Sequence, residues 1–268
     1  MAGRVLKPSS ALLDVFKAWQ GGAVRVQQNE KLPIRLDVIL DRPEKNNCLS
    51  GAMMQQLGEH AKQISSQENA VVVISGVGKS FCSGADLGLI KDISDQHLGV
   101  QMFDYMSSVL AHFHDSPAIT IAKIHGHALG GATEICSSTD IRIAHSASKI
   151  AFFQSKMGIV PSWGGAEHLE RIMGRGRALA AMGRANIMTA EEARANGYVD
   201  FVYETDEEAE NFIAQVASGG LEVTKAQKAM LNAVKTSVDD QKKVLESVWN
   251  GETHRIAIQK QIDAVVKK

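Results

Sequence analysis

Two short, mainly apolar runs constrain the fold of this chain more than any other feature. Residues 70–74 read AVVVI, bounded by polar residues and glycine, and residues 118–124 read AITIAKI. Such runs are typical of strands buried on both faces of a parallel sheet. Residues 34–40 (IRLDVIL) and 140–144 (DIRIA) predict further strands, and Ser50 can cap the helix that follows the first of these. The recurring order of strand, loop and helix predicts an α/β fold with active-site loops at the carboxyl ends of its strands.

The composition excludes several classes of protein. The chain has 268 residues and a formal net charge of −1, from 29 Lys and Arg against 30 Asp and Glu. This balance argues against a nucleic-acid-binding protein. The three cysteines are too few, and odd in number, for a disulfide framework, which indicates a reducing compartment. No apolar run approaches the ~20 residues that a membrane-spanning helix needs, so we expect no membrane partner.

The first 22 residues contain no apolar core of a secretory signal. Arg4, Lys7 and Lys17 are weak features of a transit peptide, and Asp14 argues against one. We therefore expect a cytosolic protein, with a mitochondrial location as the alternative. The segment predicts a helix over residues 10–19.

The C-terminal part of the chain predicts helices. Thr189 and Glu192 form a T-x-x-E capping box, and Gly197 suits the position just after that helix. Residues 199–203 predict a last strand. Residues 206–268 predict a helical subdomain, which we expect to pack on the core because no linker-like segment precedes it.

The segment SGVGKS at residues 75–80 is similar to part of a nucleotide-binding P-loop. A full G-x-x-x-x-G-K-S motif ending at Ser80 requires glycine at position 73, and that residue is Val73. The sequence therefore excludes a nucleotide-hydrolysing site here.

Two glycine-rich loops carry the strongest functional signal. Residues 79–87 (KSFCSGADL) follow a buried strand, where Gly84 permits a backbone conformation closed to other residues and Asp86 can cap the next helix. Residues 125–134 (HGHALGGATE) form a second such loop before another helix. Two turns of this kind after neighbouring strands can aim two backbone N–H groups at one point. This is the geometry that an oxyanion hole requires.

These loops, the strand DIRIA and residues 149–175 (KIAFFQSKMGIVPSWGGAEHLERIMGR) resemble the crotonase (enoyl-CoA hydratase/isomerase) superfamily. The resemblance covers about residues 30–265. It implies a crotonase-like spiral of ββα turns over residues 30–205, after an N-terminal extension of residues 1–29. The helical residues 206–268 would then serve trimerisation or form a lid.

The resemblance also implies partners and site residues. The expected substrate is an acyl-CoA thioester, the expected assembly a homotrimer or a dimer of trimers, and neither a cofactor nor a metal is expected. By position, the N–H groups of Ala85 and Gly131 would hold the thioester oxygen as it becomes an enolate. Lys45 and Lys79 would contact the CoA phosphates or face solvent. The other implied substrate-binding residues are Ser83, Gly84, Asp86, Leu87, His127, Gly130 and Trp163.

Position 154 is the most discriminating position in the chain. Hydratases of the superfamily use two glutamates as acid and base around one water. The first matches Glu134, but the second matches Gln154, preceded by Phe153. An amide has no useful pKa and cannot act as a general base, so the two-carboxylate mechanism is damaged. A shift of two in the match would place Lys156 there, which also supplies no carboxylate.

The segments PSWGG (161–165) and SVWNGET (247–253) resemble members of the superfamily that decarboxylate ethylmalonyl-CoA and methylmalonyl-CoA, a metabolite-repair activity. A decarboxylase needs no base beside the leaving carboxylate. We expect Gln154 to orient that carboxylate, and Glu134 either to return a proton or to order the pocket. Trp163, with the preceding Pro161 and Ser162, would form an apolar wall or simply pack in the core.

Other interpretations stay open. The chain could be an enoyl-CoA hydratase or isomerase that uses Glu134 alone, or a non-catalytic relative that binds acyl-CoA or RNA. We expect Cys82 to pack rather than react, and Glu167 and His168 to form a surface pair. The lysines expected on a solvated face of the C-terminal helices are Lys225, Lys228, Lys235, Lys242 and Lys243.

Overall fold

A computed structural model of the chain describes residues 5–93 and 95–266. Nine strands form two sheets: a six-stranded sheet in the order β1-β2-β3-β4-β6-β9 and a three-stranded sheet in the order β5-β7-β8. In the larger sheet only β1 and β2 pair antiparallel. The strands are β1 Ala23–Gln28, β2 Arg35–Asp41, β3 Val71–Gly76, β4 Ile119–Ile124, β5 His127–Leu129, β6 Ile141–His145, β7 Lys149–Ala151, β8 Met188–Thr189 and β9 Phe201–Tyr203.

Helices connect the strands and cover the larger sheet, so the predicted α/β class is confirmed. None of the helices in the described residues is both long and apolar enough to cross a membrane. The helices are α1 Ser10–Ala18, α2 Gly51–Ile64, α3 Leu87–Asp92, α4 Gln96–His114, α5 Gly131–Ser137, α6 Gly165–Met173, α7 Arg175–Arg184, α8 Ala190–Ala195, α9 Asp206–Val216, α10 Gly220–Ala233, α11 Val238–Val248 and α12 Glu252–Val266.

The apolar run at β3 is buried on both faces, as the sequence predicts. Val72 and Ile74 belong to one hydrophobic cluster, which α2 and α4 share. Val71 and Val73 belong to a second cluster, on the opposite face, which α9 shares. Because neighbouring side chains of a strand point to opposite faces, an unbroken apolar run is needed to fill both layers.

The N-terminal segment is more integrated than an extension. Residues 23–28 form the edge strand β1, which pairs with β2. Leu12 and Phe16 of α1 are fully buried in the core beside it. The strand went unpredicted because it is an edge strand in which half of the residues are polar and only Val24 is buried.

The helix caps predicted from the sequence are present. Ser50 caps α2 and Asp86 caps α3 by accepting backbone N–H bonds. Thr189 and Glu192 form the predicted capping box at α8. Gly197 follows that helix with φ of +79°, a conformation that favours glycine.

The C-terminal helices pack on the core only in part. In α10, Lys228 is buried and its Nζ donates to Asp140 Oδ2 at 2.6 Å and to the Ala118 carbonyl at 3.0 Å. The expectation that Lys228 faces solvent is therefore wrong, because this lysine pairs with the half-buried carboxylate of Asp140, just before β6. Helix α11 packs on α10 and buries none of its side chains. Large apolar side chains stay exposed along α10 to α12, among them Leu231, Val234, Val238, Leu245, Trp249 and Ile256.

Replacing Lys228 by Met should destabilise the protein, because the Asp140 carboxylate loses its cation in a low-dielectric site. We expect a loss of about 3 kcal/mol in the free energy of unfolding, measured by denaturant titration. Lys225→Met is the matched control: this half-buried lysine lies one turn earlier and donates to the Gln67 carbonyl, with no carboxylate partner in the described residues. Its expected cost is about 0.5 kcal/mol. Equal losses in the two variants would contradict this assignment.

Glu167 on α6 is exposed, but the neighbouring His168 is half-buried. The two therefore do not form the expected surface pair. The ring of His168 packs on that of His114 at the end of α4, with 4.9 Å between the ring centroids. Burial, with the charges of His114 and Arg171, lowers the pKa of His168 to about 4. Burial also lowers the pKa of His114. The contact between α4 and α6 therefore requires neutral imidazoles.

This pair makes stability depend on pH. The unfolded chain protonates His168 near its ordinary pKa of 6.5, but the folded protein does so only at a pKa of about 4. The free energy of unfolding should therefore decrease as pH falls from about 6.5 to about 4, and this group should contribute nothing to the pH dependence above that window. Melting temperatures of His168→Phe should fall less between pH 7 and pH 5 than those of the wild type. The exposed His97→Phe should fall as the wild type does.

Candidate active site

The two glycine-rich loops lie side by side in a fixed parallel register. Cys82 forms a bridge with Ala128: its N–H donates to the His127 carbonyl at 3.0 Å, and the Leu129 N–H donates to the Cys82 carbonyl at 3.1 Å. Carried three residues further along both segments, this register sets Ala85 beside Gly131.

Gly84 allows the two loops to approach this closely. Its φ is +96°, and a Cβ on it would lie 2.9 Å from the Leu129 carbonyl oxygen and 3.2 Å from the Gly131 nitrogen. Any other residue would be strained in its backbone and would force the loops apart. The conformational role expected of Gly84 is thus explained by one close backbone contact.

Both candidate oxyanion donors are free to bind a ligand. The Leu49 N–H donates to the Gly84 carbonyl, and the Asp86 N–H donates to the Leu49 carbonyl. Since alternate residues of an extended segment face opposite ways, the N–H of Ala85 points away from Leu49. Gly131 is the first residue of α5, so its N–H has no acceptor within the helix. In the described part of the chain, neither N–H has a hydrogen-bond partner.

A cavity of about 450 Å³ opens beside these two groups. Its walls are mainly apolar, with a few polar groups, as is usual for a small-molecule site. Sequence-predicted residues that line it are Lys45, Ser83, Gly84, Ala85, Asp86, Leu87, Gly130, Gly131, Glu134, Gln154 and Trp163. Apolar lining residues that the sequence analysis missed are Ile90, Leu129, Met157 and Ile159.

Glu134 lies at the inner end of the cavity and is almost fully buried. Its Oε1 accepts from the Gln154 Nε2 at 3.1 Å and the Ser162 N–H at 3.0 Å. Its Oε2 accepts from the Trp163 N–H at 2.7 Å and the Gly165 N–H at 3.0 Å. Burial raises the pKa of Glu134, and these four donors act against that rise.

Gln154 is buried in a 3₁₀ turn, Phe153–Met157, and its orientation is determined by Glu134. Because the Glu134 carboxylate only accepts, the amide must present its Nε2 there. In the described part of the chain, two buried polar atoms near the cavity have no hydrogen-bond partner. The Gln154 Oε1 has no donor, and the Trp163 indole N–H has no acceptor. Lys156 is exposed over the Phe153 ring, 4.6 Å from its centroid, and does not line the cavity. The shifted match is therefore not supported.

Asp86, the second acidic residue of the cavity wall, is also engaged. It accepts from the Gly88 N–H at 3.0 Å and pairs with Arg42 at 2.8 Å. Burial by itself would raise the pKa of Asp86, but the hydrogen bonds from Arg42 and Gly88 outweigh it and lower that pKa. Sequence reasoning missed Arg42. The signal was available, because β2, its loop and α2 repeat the order of strand, loop and helix.

Three expected candidates lie outside the lining. Lys79 is exposed, and its contact with CoA phosphates stays a prediction. His127 turns its Nδ1 towards the Ser80 hydroxyl, 3.3 Å away, so the structure does not support the expected pocket role. Pro161 is half-buried beside the cavity without lining it.

Cys82 is fully buried, and burial raises its pKa to about 12. It is therefore a packed thiol rather than a nucleophile at neutral pH. Within residues 5–93 and 95–266, no group of three or more His, Cys, Asp or Glu side chains is placed to hold a metal ion.

Known proteins similar to this chain point to one family. The family model described as enoyl-CoA hydratase/isomerase matches residues 36–263. The chain belongs to this family, the crotonases. Ethylmalonyl-CoA decarboxylase of Danio rerio is 30% identical over 256 residues, covering 91% of this chain and 85% of that protein. The protein of the same name from Mus musculus is 32% identical over 233 residues, covering 82% and 72%.

The solved structures agree on the fold. Enoyl-CoA hydratase from Thermoplasma volcanium superposes with a TM-score of 0.80 at 26% identity, covering 88% of this chain and 96% of that one. The crotonase fold expected from the sequence resemblance is therefore confirmed. In this crotonase the segments containing Leu49, residues 82–85 and residues 127–131 stack by bridges into the second, smaller layer, which carries the site.

Proposed function

We propose that this crotonase decarboxylates alkylmalonyl-CoA thioesters, ethylmalonyl-CoA and methylmalonyl-CoA, without a metal or an added cofactor. One observation carries the proposal. Among the described residues that line it, the cavity presents two free backbone N–H groups for an enolate oxygen but no free carboxylate for acid–base work. Glu134 has both oxygens occupied, and position 154 holds an amide. A two-glutamate hydration has no pair of groups to use here, whereas a decarboxylation needs none.

The reaction follows from this arrangement. The bond between the α-carbon and the carboxylate breaks and CO₂ leaves. The electron pair of that bond passes into the thioester to form an enolate. The N–H groups of Ala85 and Gly131 stabilise the negative oxygen of that enolate. The α-carbon then takes up one proton, so that alkylmalonyl-CoA and a proton give acyl-CoA and CO₂. Bond cleavage requires the leaving carboxylate to lie perpendicular to the thioester plane.

The side chains around the carboxylate favour its loss. Leu129, Met157 and Ile159 offer an apolar surface that suits neutral CO₂ better than the charged group from which it forms. A glutamate at position 154 would repel the substrate carboxylate. Gln154 is neutral and retains one N–H beyond the one given to Glu134, which can orient that carboxylate.

The names of the relatives support the same reaction. The proteins named ethylmalonyl-CoA decarboxylase are about 30% identical to this chain over most of its length. With the reaction we propose a cytosolic, metabolite-repair role and a homotrimer or dimer of trimers. The exposed apolar side chains of α10 to α12 are consistent with a subunit interface.

Hydration or isomerisation of enoyl-CoA is the second candidate. Two observations favour it: Glu134 is retained, and the fold is similar to that of the enoyl-CoA hydratase from Thermoplasma volcanium. The hydrogen bonds that saturate Glu134 argue against it, because a general base needs an accessible lone pair.

A paired assay of the pure protein distinguishes these candidates. One arm follows CO₂ and butyryl-CoA from ethylmalonyl-CoA, and the other follows the hydration of crotonyl-CoA. We expect fast CO₂ release and negligible hydration. Fast hydration without CO₂ would establish the second candidate. Binding of CoA esters without turnover in either arm would contradict both and favour a non-catalytic protein.

Substitution of Gln154 tests its role towards the substrate carboxylate. Gln154→Ala removes a hydrogen bond to a charged group, so we expect kcat/KM for CO₂ release to fall about 30-fold. Gln154→Glu adds a like charge as well and should cost about 100-fold or more. Lys156→Ala, in the same turn but outside the cavity, is the control. Unchanged kcat/KM in Gln154→Ala would remove Gln154 from the mechanism.

Substitution of Gly84 tests the two oxyanion donors. In Gly84→Ala the new Cβ pushes against the Gly131 nitrogen and separates the loops. A displacement of the donors of about 1 Å should lower kcat/KM about 100-fold. Gly220→Ala carries similar backbone strain, with φ of +71° and open space around the Cβ, and should retain full activity. Wild-type activity in a folded Gly84→Ala protein would contradict the assigned donors.

A further inference from the structure

We infer that Glu134 is a positioning residue and not an acid–base group. Its carboxylate caps α6 from the neighbouring helix α5, and this cap holds the indole ring of Trp163 against Gly131, the second oxyanion donor. The inference concerns how the candidate site is built, and it rests on the proposed function only for the reaction in which its kinetic test is measured.

Helix α6 has no cap of its own. Its N-cap residue is Gly164, which has no side chain to accept a backbone N–H. The N–H groups of Ser162, Trp163 and Gly165, all at this terminus, point to the oxygens of Glu134 instead. An anion is favoured at the positive end of a helix. In most helices the residue just before the first turn supplies the cap. Helix α6 is instead capped by Glu134, which belongs to a different helix.

The same hydrogen bonds exclude proton transfer through Glu134. Each carboxylate oxygen accepts two N–H bonds, so both lone pairs of each oxygen are used. Protonating either oxygen would force a buried backbone or amide N–H to lose its acceptor. The proton that reaches the α-carbon must then come from another source.

Close packing transmits the position of Glu134 to Gly131. A Cβ on Gly165 would lie 2.6 Å from the Glu134 Cγ, so only glycine lets α6 approach the carboxylate. A Cβ on Gly131 would lie 2.6 Å from Cη2 and from Cζ3 of Trp163, so the indole ring lies directly on the backbone of the donor residue. Trp163 is held on one side by its own N–H bond to Glu134 and covers Gly131 on the other.

This stack explains why Trp163 is almost fully buried although its segment borders a cavity. The ring blocks one side of Gly131 to water and limits movement of its N–H. An oxyanion donor is effective only when it is held in place and kept dry. Glu134 thus affects the reaction through Trp163 rather than through contact with the reacting atoms.

The first test is structural and does not depend on any reaction. The three tryptophans of the 268-residue chain are labelled with 5-fluorotryptophan, and Trp163→Phe assigns the ¹⁹F resonance of Trp163. We expect Glu134→Gln and Gly165→Ala to shift and broaden this resonance. Gly183→Ala, on α7 with open space around the Cβ, is the matched control and should leave it unchanged. An unshifted resonance in both folded test variants would overturn the inference.

The second test is a double-mutant cycle on CO₂ release from ethylmalonyl-CoA. If Glu134 acts through Trp163, then Glu134→Gln and Trp163→Ala each lower kcat about 100-fold, and the double variant is no slower than about 100-fold. KM should change less than about threefold in each, because the ring supports the donor rather than the CoA moiety. Multiplied losses, near 10,000-fold in the double variant, would overturn the inference and make Glu134 an independent catalytic group.

The conservative variant Trp163→Phe keeps an aromatic ring on Gly131 and should retain most of kcat. Trp163→Phe leaves the four hydrogen bonds of Glu134 in place, so it keeps the test open if Glu134→Gln does not fold. Activity in Trp163→Phe as low as in Trp163→Ala would contradict the role of the ring. A wild-type protein that releases no CO₂ would instead refute the proposed function, and the ¹⁹F measurement would still decide the inference.

Discussion

The pairing of two backbone segments, residues 82–85 and 127–131, is the constraint on which the rest of the site depends. Their parallel register brings the N–H of Ala85 and the N–H of Gly131 to one wall of the cavity. The contact between Gly84 and the Gly131 nitrogen leaves no room for a side chain between them. Backbone groups held in this way need no reorganisation when charge develops, which is why such donors stabilise an enolate better than water does.

Electrostatics around this wall are arranged to leave no free negative charge. Asp86 is neutralised by Arg42 and by the helix that it caps. Glu134 is surrounded by four N–H donors and serves the N-terminus of α6. A substrate that carries a carboxylate would be repelled by exposed carboxylates in a small apolar cavity. This arrangement supports the proposed reaction, in which the substrate brings its own carboxylate.

Sequence patterns predicted the elements that depend on local or strongly periodic signals. The buried strand β3, the cap of α2 by Ser50 and the capping box at Thr189 all follow from residues a few positions apart. The edge strand β1 was not predicted, since an edge needs little apolar surface and carries little signal. Lys228 was misjudged for a related reason: a lysine among other lysines on a helix gives no sign of the carboxylate that it meets in space.

The sequence by itself determined the α/β class, the two glycine-rich loops and the presence of an amide where a hydratase needs a carboxylate. The first two features depend on residue type and spacing along the chain, and the third on the resemblance to the crotonases. Only the tertiary structure decided what Glu134 does and which side chains surround it. Its partners at Gln154, Ser162, Trp163 and Gly165 are 20 to 31 positions away. The reason is physical: hydrogen bonds between distant segments depend on how helices α5 and α6 pack, and no local pattern encodes that packing.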